Sequence, residues 1–169
     1  ALVPLPARAE DFAAILDGVR RAGFTGVNVT VPHKESAFAL AHGADPAARI
    51  CGAANLLVFD GGRILARNTD GFGLQHSLRE ALGPDALSGK VAVMLGAGGA
   101  ARGGVLALQA VGARTIHILN RDPARAKSLA ASLGKDITAT LLPGGLPDWP
   151  SRAGEAALID VVHRGRGAG

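Results

Sequence analysis

The residues best suited to chemistry in this chain are the run Gly96-Ala97-Gly98-Gly99-Ala100-Ala101 and, downstream of it, Asn120, Arg121 and Arg125. Within the run, Gly96 permits a tight turn and Gly98 lets the backbone approach a pyrophosphate. Ala101 is small enough for a helix to pack closely on a strand. A helix starting here offers free N–H groups and a positive dipole end to phosphate oxygens. The alternative is a glycine-rich turn in an ordinary α/β protein. Asn120 stands where NAD binders carry an acid for the ribose hydroxyls, whereas NADP binders supply arginine for the 2′-phosphate. Arg121 follows at once, and Arg125 lies one helical turn further on. Asp122, the nearest acid, precedes Pro123 and reads as a helix N-cap, with its carboxylate engaged by helix N–H groups. The balance favours NADP; a solvated helix face is the other reading of Arg125.

Three residues upstream could serve a reaction. Lys34 closes the stretch Asn28-Val29-Thr30-Val31-Pro32-His33-Lys34 and falls in the first turn of a helix just past a strand. The positive dipole end there disfavours a cation, a field that suits an amine exchanging a proton near neutral pH. An ordinary surface lysine fits the spacing as well. Asp70, in Asn68-Thr69-Asp70-Gly71, is a reactive carboxylate or a helix N-cap. Asn55 puts an amide inside an apolar strand, where it needs partners, structural or functional. The five histidines, His33, His42, His76, His117 and His163, show no metal-ligand spacing. His117 reads as half-buried in a strand, and no Ser-His-Asp arrangement can be argued.

Positioning these groups requires definite elements. Val91–Leu95 has the length and apolarity of a strand, Arg102–Val111 of a helix closed by Gly112, and Thr115–Leu119 of a second strand. Together they make one βαβ unit of roughly 30 residues. A helix over Ala124–Leu133 and a strand over Ile137–Leu142 follow. Pro143-Gly144-Gly145 and Pro147–Arg152 read as loop, and Ala156–Val162 as another buried strand. Upstream, Ala1–Leu5 reads as a short strand. Phe12, Ile15, Leu16 and Val19 have helical spacing between Glu10 and Ala22. Gly26–Val31 is a strand ended by Pro32, and short helices follow over Glu35–Ala41 and Asp45–Cys51. Ala53–Phe59 and Arg63–Ala66 form a hairpin about Asp60-Gly61-Gly62. A helix over Phe72–Leu82 ends at Gly83-Pro84. The fold class is therefore α/β, with an α/β domain over residues 1–84 and a Rossmann-type dinucleotide-binding domain over residues 85–169.

Composition bounds the partners. The 169 residues are 48% hydrophobic with 24 glycines, which suits an α/β protein with many short turns, and only 19% charged, which argues against disorder. The net charge is +4 and the arginines are scattered. With no basic block and almost no aromatic interleaving, a small anionic ligand fits better than nucleic acid. Cys51 is the only cysteine, so there is no disulfide framework and no cysteine metal cluster, as in a reducing cytoplasm. No run of apolar residues is long enough for a membrane span. The chain opens at Ala1 in mid-pattern and ends in an aperiodic tail, residues 163–169; it reads as a fragment.

Taken together, Asn28-Val-Thr-Val-Pro-His-Lys34, Gly52-Ala-Ala-Asn55, Asn68-Thr-Asp-Gly71, Gly96-Ala-Gly-Gly-Ala-Ala101 and Asn120-Arg-Asp-Pro-Ala-Arg125 resemble shikimate dehydrogenases in order and spacing, over roughly residues 1 to 135. The resemblance implies a substrate domain followed by an NADP-binding domain, both incomplete here. The implied reaction is reversible reduction of 3-dehydroshikimate to shikimate with NADPH, in aromatic amino-acid biosynthesis. Lys34 and Asp70 match the family's catalytic dyad, and Thr30 and Asn55 its ligands of substrate hydroxyls. Gly96, Ala97, Gly98, Gly99, Ala100 and Ala101 match its pyrophosphate loop, and Asn120, Arg121 and Arg125 its 2′-phosphate clamp. Departures stand beside these matches. The family's serine pair, its Asn-Ala-Thr-Pro motif and its C-terminal glutamine are missing, and Gly52-Ala-Ala-Asn-Leu replaces Gly-Ala-Val-Asn-Thr. The implied partner is the small-molecule substrate, with neither nucleic acid nor membrane and with room for a homodimer. Rival readings are an NAD-dependent quinate/shikimate dehydrogenase and an inactive nucleotide-binding fragment.

Overall fold

The computed structural model describes residues 3–98, 100–156 and, for the backbone, 158–161. Its contacts divide the chain into two units, Ala1–Asn68 and Thr69–Gly169.

In the first unit, α1 (Phe12–Arg21) buries Phe12 and Leu16 and ends before Gly23, whose φ of +85° suits glycine. Its core joins these two to Val29, Ala37, Ala48, Ala54, Leu57, Ile64 and Ala66. The short helices α2 (Lys34–Ala39) and α3 (Pro46–Cys51) contribute Ala37 and Ala48 to it. The sheet runs β1 (Gly26–Asn28), β3 (Leu56–Asp60), β4 (Arg63–Arg67), β2 (Gly43–Ala44). β3 and β4 form the expected hairpin, with Asp60 paired to Arg63. Gly61 and Gly62 both have positive φ, +53° and +80°, as a two-residue type I′ turn demands. β1 lies antiparallel to β3, and Gly26 faces the Leu57 carbonyl so closely that a Cβ there would collide with it.

The second unit opens with α4 (Asp70–Leu82) packed on α5 (Ala101–Ala110). The close approach is made by glycines: a Cβ at Gly71 would lie 3.0 Å from the Gly103 carbonyl oxygen. This packing groups α4 with the second unit, whereas sequence reading joins the same helix to the first domain. A parallel sheet follows in the order β7 (Thr140–Gly145), β6 (Thr115–Asn120), β5 (Val91–Leu95), β8 (Leu158–Val161). In sequence that is third, second, first, fourth, the opening half of a doubly wound sheet. α6 (Pro123–Leu133) connects β6 to β7. Val93, Met94, Ile116, Ile118 and Leu119 are fully buried, as expected of strands covered on both faces, and Val105, Leu108 and Leu133 of the helices are buried with them.

Several expectations are corrected. Residues 3–5 form no strand, and Val3 and Leu5 are exposed. β1 stops at Asn28, because Thr30 to His33 turn, with a cis Val31–Pro32 bond and the His33 N–H on the Thr30 carbonyl at 2.9 Å. Pro143, Gly144 and Gly145 belong to β7 rather than to a loop. β7 is a sheet edge, where a proline can turn its missing N–H away from the ladder. The stretch after it is a 3₁₀ turn (Leu146–Asp148) and α7 (Trp149–Ala153), with Asp148 Oδ2 accepting the Gly145 N–H at 2.9 Å. The tail at 163–169, His163 included, lies outside the described residues.

Candidate active site

Three stretches converge at one end of the first unit's sheet. The turn after β1 carries Thr30 and leads into Lys34, the first residue of α2. Ala54 N–H donates to the Lys34 carbonyl at 2.9 Å, and Val29 N–H to the Asn55 carbonyl at 2.8 Å. These two bonds clamp the Lys34 turn to the segment bearing Asn55. Asn55 itself stands just before β3 rather than inside it, half-buried, with its N–H on the Arg67 carbonyl at 3.1 Å. Asn68 closes the third side. Buried, it donates from Nδ2 to the Ala53 carbonyl at 2.9 Å, and its N–H reaches Asp45 Oδ2 at 3.4 Å. Asp45 also caps α3 through the Ala48 N–H at 2.6 Å. Thr30 is exposed and Lys34 half-buried, and the backbone bonds put these two residues and Asn55 on neighbouring segments.

The His33 ring lies parallel to Phe12 with centroids 4.7 Å apart, a contact that spacing in the sequence does not announce. Its Nε2 is 2.9 Å from the Ala7 carbonyl oxygen, which can only accept, so Nε2 carries the proton. An apolar groove of about 640 Å³ beside it is lined by α1 and by β1, with Asn28, Thr30 and His33 among its few polar residues.

In the second unit, Asp70 is the first residue of α4 and not its N-cap, which is Thr69. The capping alternative is therefore set aside. Gly103 of α5 lies against Asp70: a Cβ there would stand 3.8 Å from the Asp70 Cβ. Asp70 is thus fixed beside the first turns of the helix that follows the glycine run.

That run leaves β5 at Gly96, whose φ of +123° admits glycine alone and whose N–H donates to the Leu119 carbonyl at 2.8 Å. A Cβ at Gly98 would meet nothing within 4 Å, so the backbone is open there. Gly99 lies outside the described residues. Ala97 is half-buried, Ala100 is the N-cap of α5, and Ala101 is fully buried, as close helix–strand packing requires. β5 is the strand from which connections depart in both directions, since β6 and β8 flank it. Ligands of open α/β sheets lie at the carboxyl ends of strands at such a switch point.

At the carboxyl end of β6, Asn120 Nδ2 donates to the Asp122 carbonyl at 2.9 Å. Asp122 caps α6 through the Ala124 N–H at 3.0 Å, with Pro123 at the first helical position. Arg121 and Arg125 are exposed; Arg125 Nε stands 3.9 Å from Asp122 Oδ2, a solvated pair worth little. His117, within β6, is buried rather than half-buried, and burial, with Arg152 adding to it, holds its imidazole below its ordinary value. Among the described residues no cluster of side chains is suited to a metal, and no helix is long and apolar enough to cross a membrane.

Comparisons with known proteins agree across both units. Residues 2–57 match the shikimate dehydrogenase substrate binding domain, and residues 78–144 match shikimate / quinate 5-dehydrogenase. The shikimate dehydrogenase (NADP(+)) of Caulobacter vibrioides is 44% identical over 172 residues, covering 100% of this chain and 59% of its own length. The Rhizobium meliloti protein of that name is 46% identical over 135 residues, 79% of this chain and 46% of its own. This chain thus spans less than two thirds of these relatives. Among solved structures, shikimate 5-dehydrogenase from Thermus thermophilus in complex with NADP(H) and shikimate aligns with a TM-score of 0.76 at 35% identity, over 94% of this chain and 55% of that one. Shikimate 5-dehydrogenase from Listeria monocytogenes, in complex with shikimate and NAD, gives 0.83 at 25% identity, over 94% and 56%.

Proposed function

This chain belongs to the shikimate dehydrogenase family, and on that premise we propose that it carries the catalytic dyad and the NADP grip of an enzyme interconverting 3-dehydroshikimate and shikimate. The observation that carries the proposal is the switch-point turn: Gly96 at φ +123°, an open backbone at Gly98 and a buried Ala101 opening α5. A bulky side chain would obstruct such a cradle, and none is present in the described part of the run. NADPH, when bound, supplies the hydride. Gly96 to Ala101 would hold its pyrophosphate, and Asn120, Arg121 and Arg125 its 2′-phosphate.

The protein's own contribution is proton transfer and orientation. Lys34 gives its proton to the oxygen of the ketone as it becomes an alkoxide, and takes it back in the reverse direction. Asp70 orients the ammonium and balances its charge. Thr30 and Asn55 bind substrate hydroxyls. Residues 1–84 then act as the substrate-binding part and residues 85–169 as the nucleotide-binding part, in a cytoplasmic enzyme. A preference for NADP over NAD rests on the two exposed arginines after β6, where an NAD enzyme would carry an acid.

Lys34→Ala tests the assignment. Turnover of shikimate with NADP⁺ should fall roughly 10²- to 10⁴-fold, the usual worth of a positioned acid–base group, with NADPH binding nearly unchanged. Undiminished turnover would remove Lys34 from the chemistry.

A further inference from the structure

We propose that His33 is a positioning residue, which holds the Thr30–Lys34 turn in register for proton transfer by anchoring it to the segment ahead of α1 and to α1 itself. The inference rests on the reading of Lys34 as the proton carrier. It goes beyond that reading by naming what fixes the amine in place.

Lys34 sits at the start of a helix of only six residues, which has little rigidity of its own. Its backbone is held from one side by the Ala54 N–H on the Lys34 carbonyl. The other side depends on His33. The His33 N–H donates to the Thr30 carbonyl at 2.9 Å and the His33 carbonyl accepts the Ala37 N–H at 2.8 Å, so this one residue closes the turn and begins the helix. Its side chain then leaves the turn for two partners distant in sequence. Nε2–H donates to Ala7 O at 2.9 Å, and the ring stacks on Phe12 at 4.7 Å with an interplanar angle of 3°. Phe12 is buried in the unit's core, so the stack ties the turn to the most rigid part available. A donor bond and a stack in perpendicular directions fix both the height and the tilt of the ring. The backbone of Thr30 and Lys34, each joined to His33 directly or through one hydrogen bond, follows. Without that anchor the turn gains freedom, and a reacting amine displaced by about 1 Å can lose on the order of 10²-fold in rate.

Two substitutions separate the contacts. His33→Phe keeps an aromatic ring for Phe12 and removes the donor to Ala7. His33→Gln keeps a donor at nearly the same reach and removes the stack. Two readouts are taken on the 169-residue chain. The first is the rate at which an N-hydroxysuccinimide ester acylates Lys34, read by peptide mass spectrometry against Lys90, Lys127 and Lys135 as internal references. A general loss of stability moves all four lysines together; a positioning role moves Lys34 alone. For His33→Phe the Lys34 ratio should change at least about threefold, with His33→Gln closer to the parent, as expected for local release of one turn. The second readout is kcat for shikimate with NADP⁺. It should fall about 10- to 100-fold in His33→Phe with the KM for NADP⁺ unchanged, and be largely restored in His33→Gln. A Lys34 ratio that stays at the parent value in His33→Phe overturns the proposal. So does a change shared by all four lysines. Lys34→Ala, run alongside, keeps the two levels apart. If Lys34→Ala is fully active, the proton-carrier reading fails. If it is inactive while His33→Phe matches the parent in both readouts, only the positioning role fails.

Discussion

Gly71 and Gly73 lie two residues apart on α4, and the structure sets them opposite fates on replacement by alanine. At Gly71 the added Cβ would stand 3.0 Å from the Gly103 carbonyl oxygen and 3.6 Å from its carbonyl carbon and Cα. All three atoms are backbone of α5, so none can swing aside. A comfortable carbon–oxygen approach is about 3.3–3.6 Å, so the helices must part by a few tenths of an ångström. Overpacking of this kind costs about 1–3 kcal/mol, offset by about 1 kcal/mol from the better helix propensity of alanine. At Gly73 nothing lies within 4 Å, so only the propensity gain of about 0.5–1 kcal/mol applies. Gly73→Ala should therefore raise the urea midpoint, and Gly71→Ala should fall below it by about 1–3 kcal/mol, the overpacking cost alone. Urea unfolding of the three proteins, followed by circular dichroism, measures this. Equal stabilisation by both alanines would refute the α4–α5 packing described above. With it would go the placement of Asp70 beside α5.

Other expectations follow from single contacts. Arg125→Ala should weaken NADPH by about tenfold or more and leave NADH nearly untouched, since it removes one charge-assisted phosphate contact; equal weakening in titrations of both cofactors would count against that contact. Asp122→Ala should cost about 1 kcal/mol in thermal unfolding through loss of the α6 cap, and an unchanged midpoint would contradict the Ala124 bond. Burial depresses the His117 imidazole, so the unfolded chain takes up that proton first as pH falls. Stability should be fully present above about pH 6.5 and decline below it, and His117→Gln should flatten the decline, as unfolding at a series of pH values would reveal.

Local chemistry made much of the fold legible. The Asp60-Gly61-Gly62 hairpin, the βαβ unit and the Asp122-Pro123 helix start each follow from a few adjacent residues whose backbone preferences have one good solution. The failures have a common cause: the deciding partner is remote. Pro143 reads as a loop former until β7 is known to be an edge strand. The packing of α4 on α5 is hidden too, because Gly71 and Gly103 are far apart in sequence. Asp70 looks like a cap because an acid before a helix usually is one, while the observed boundary falls one residue earlier. Motif residues Lys34, Asn55 and Asp70 could be picked out by type. What holds them could not: Asn68 reaches back to Ala53, and His33 to Ala7 and Phe12, over sequence separations that no periodicity reports.

The most direct test of the account is a double-mutant cycle of Lys34→Ala and Asp70→Ala, read as NADP⁺-linked oxidation of shikimate. Residues that act as one unit lose about as much singly as together, so the double variant should be scarcely slower than Lys34→Ala alone. Losses that simply add, or a parent chain that oxidises no shikimate with NADP⁺, would contradict it.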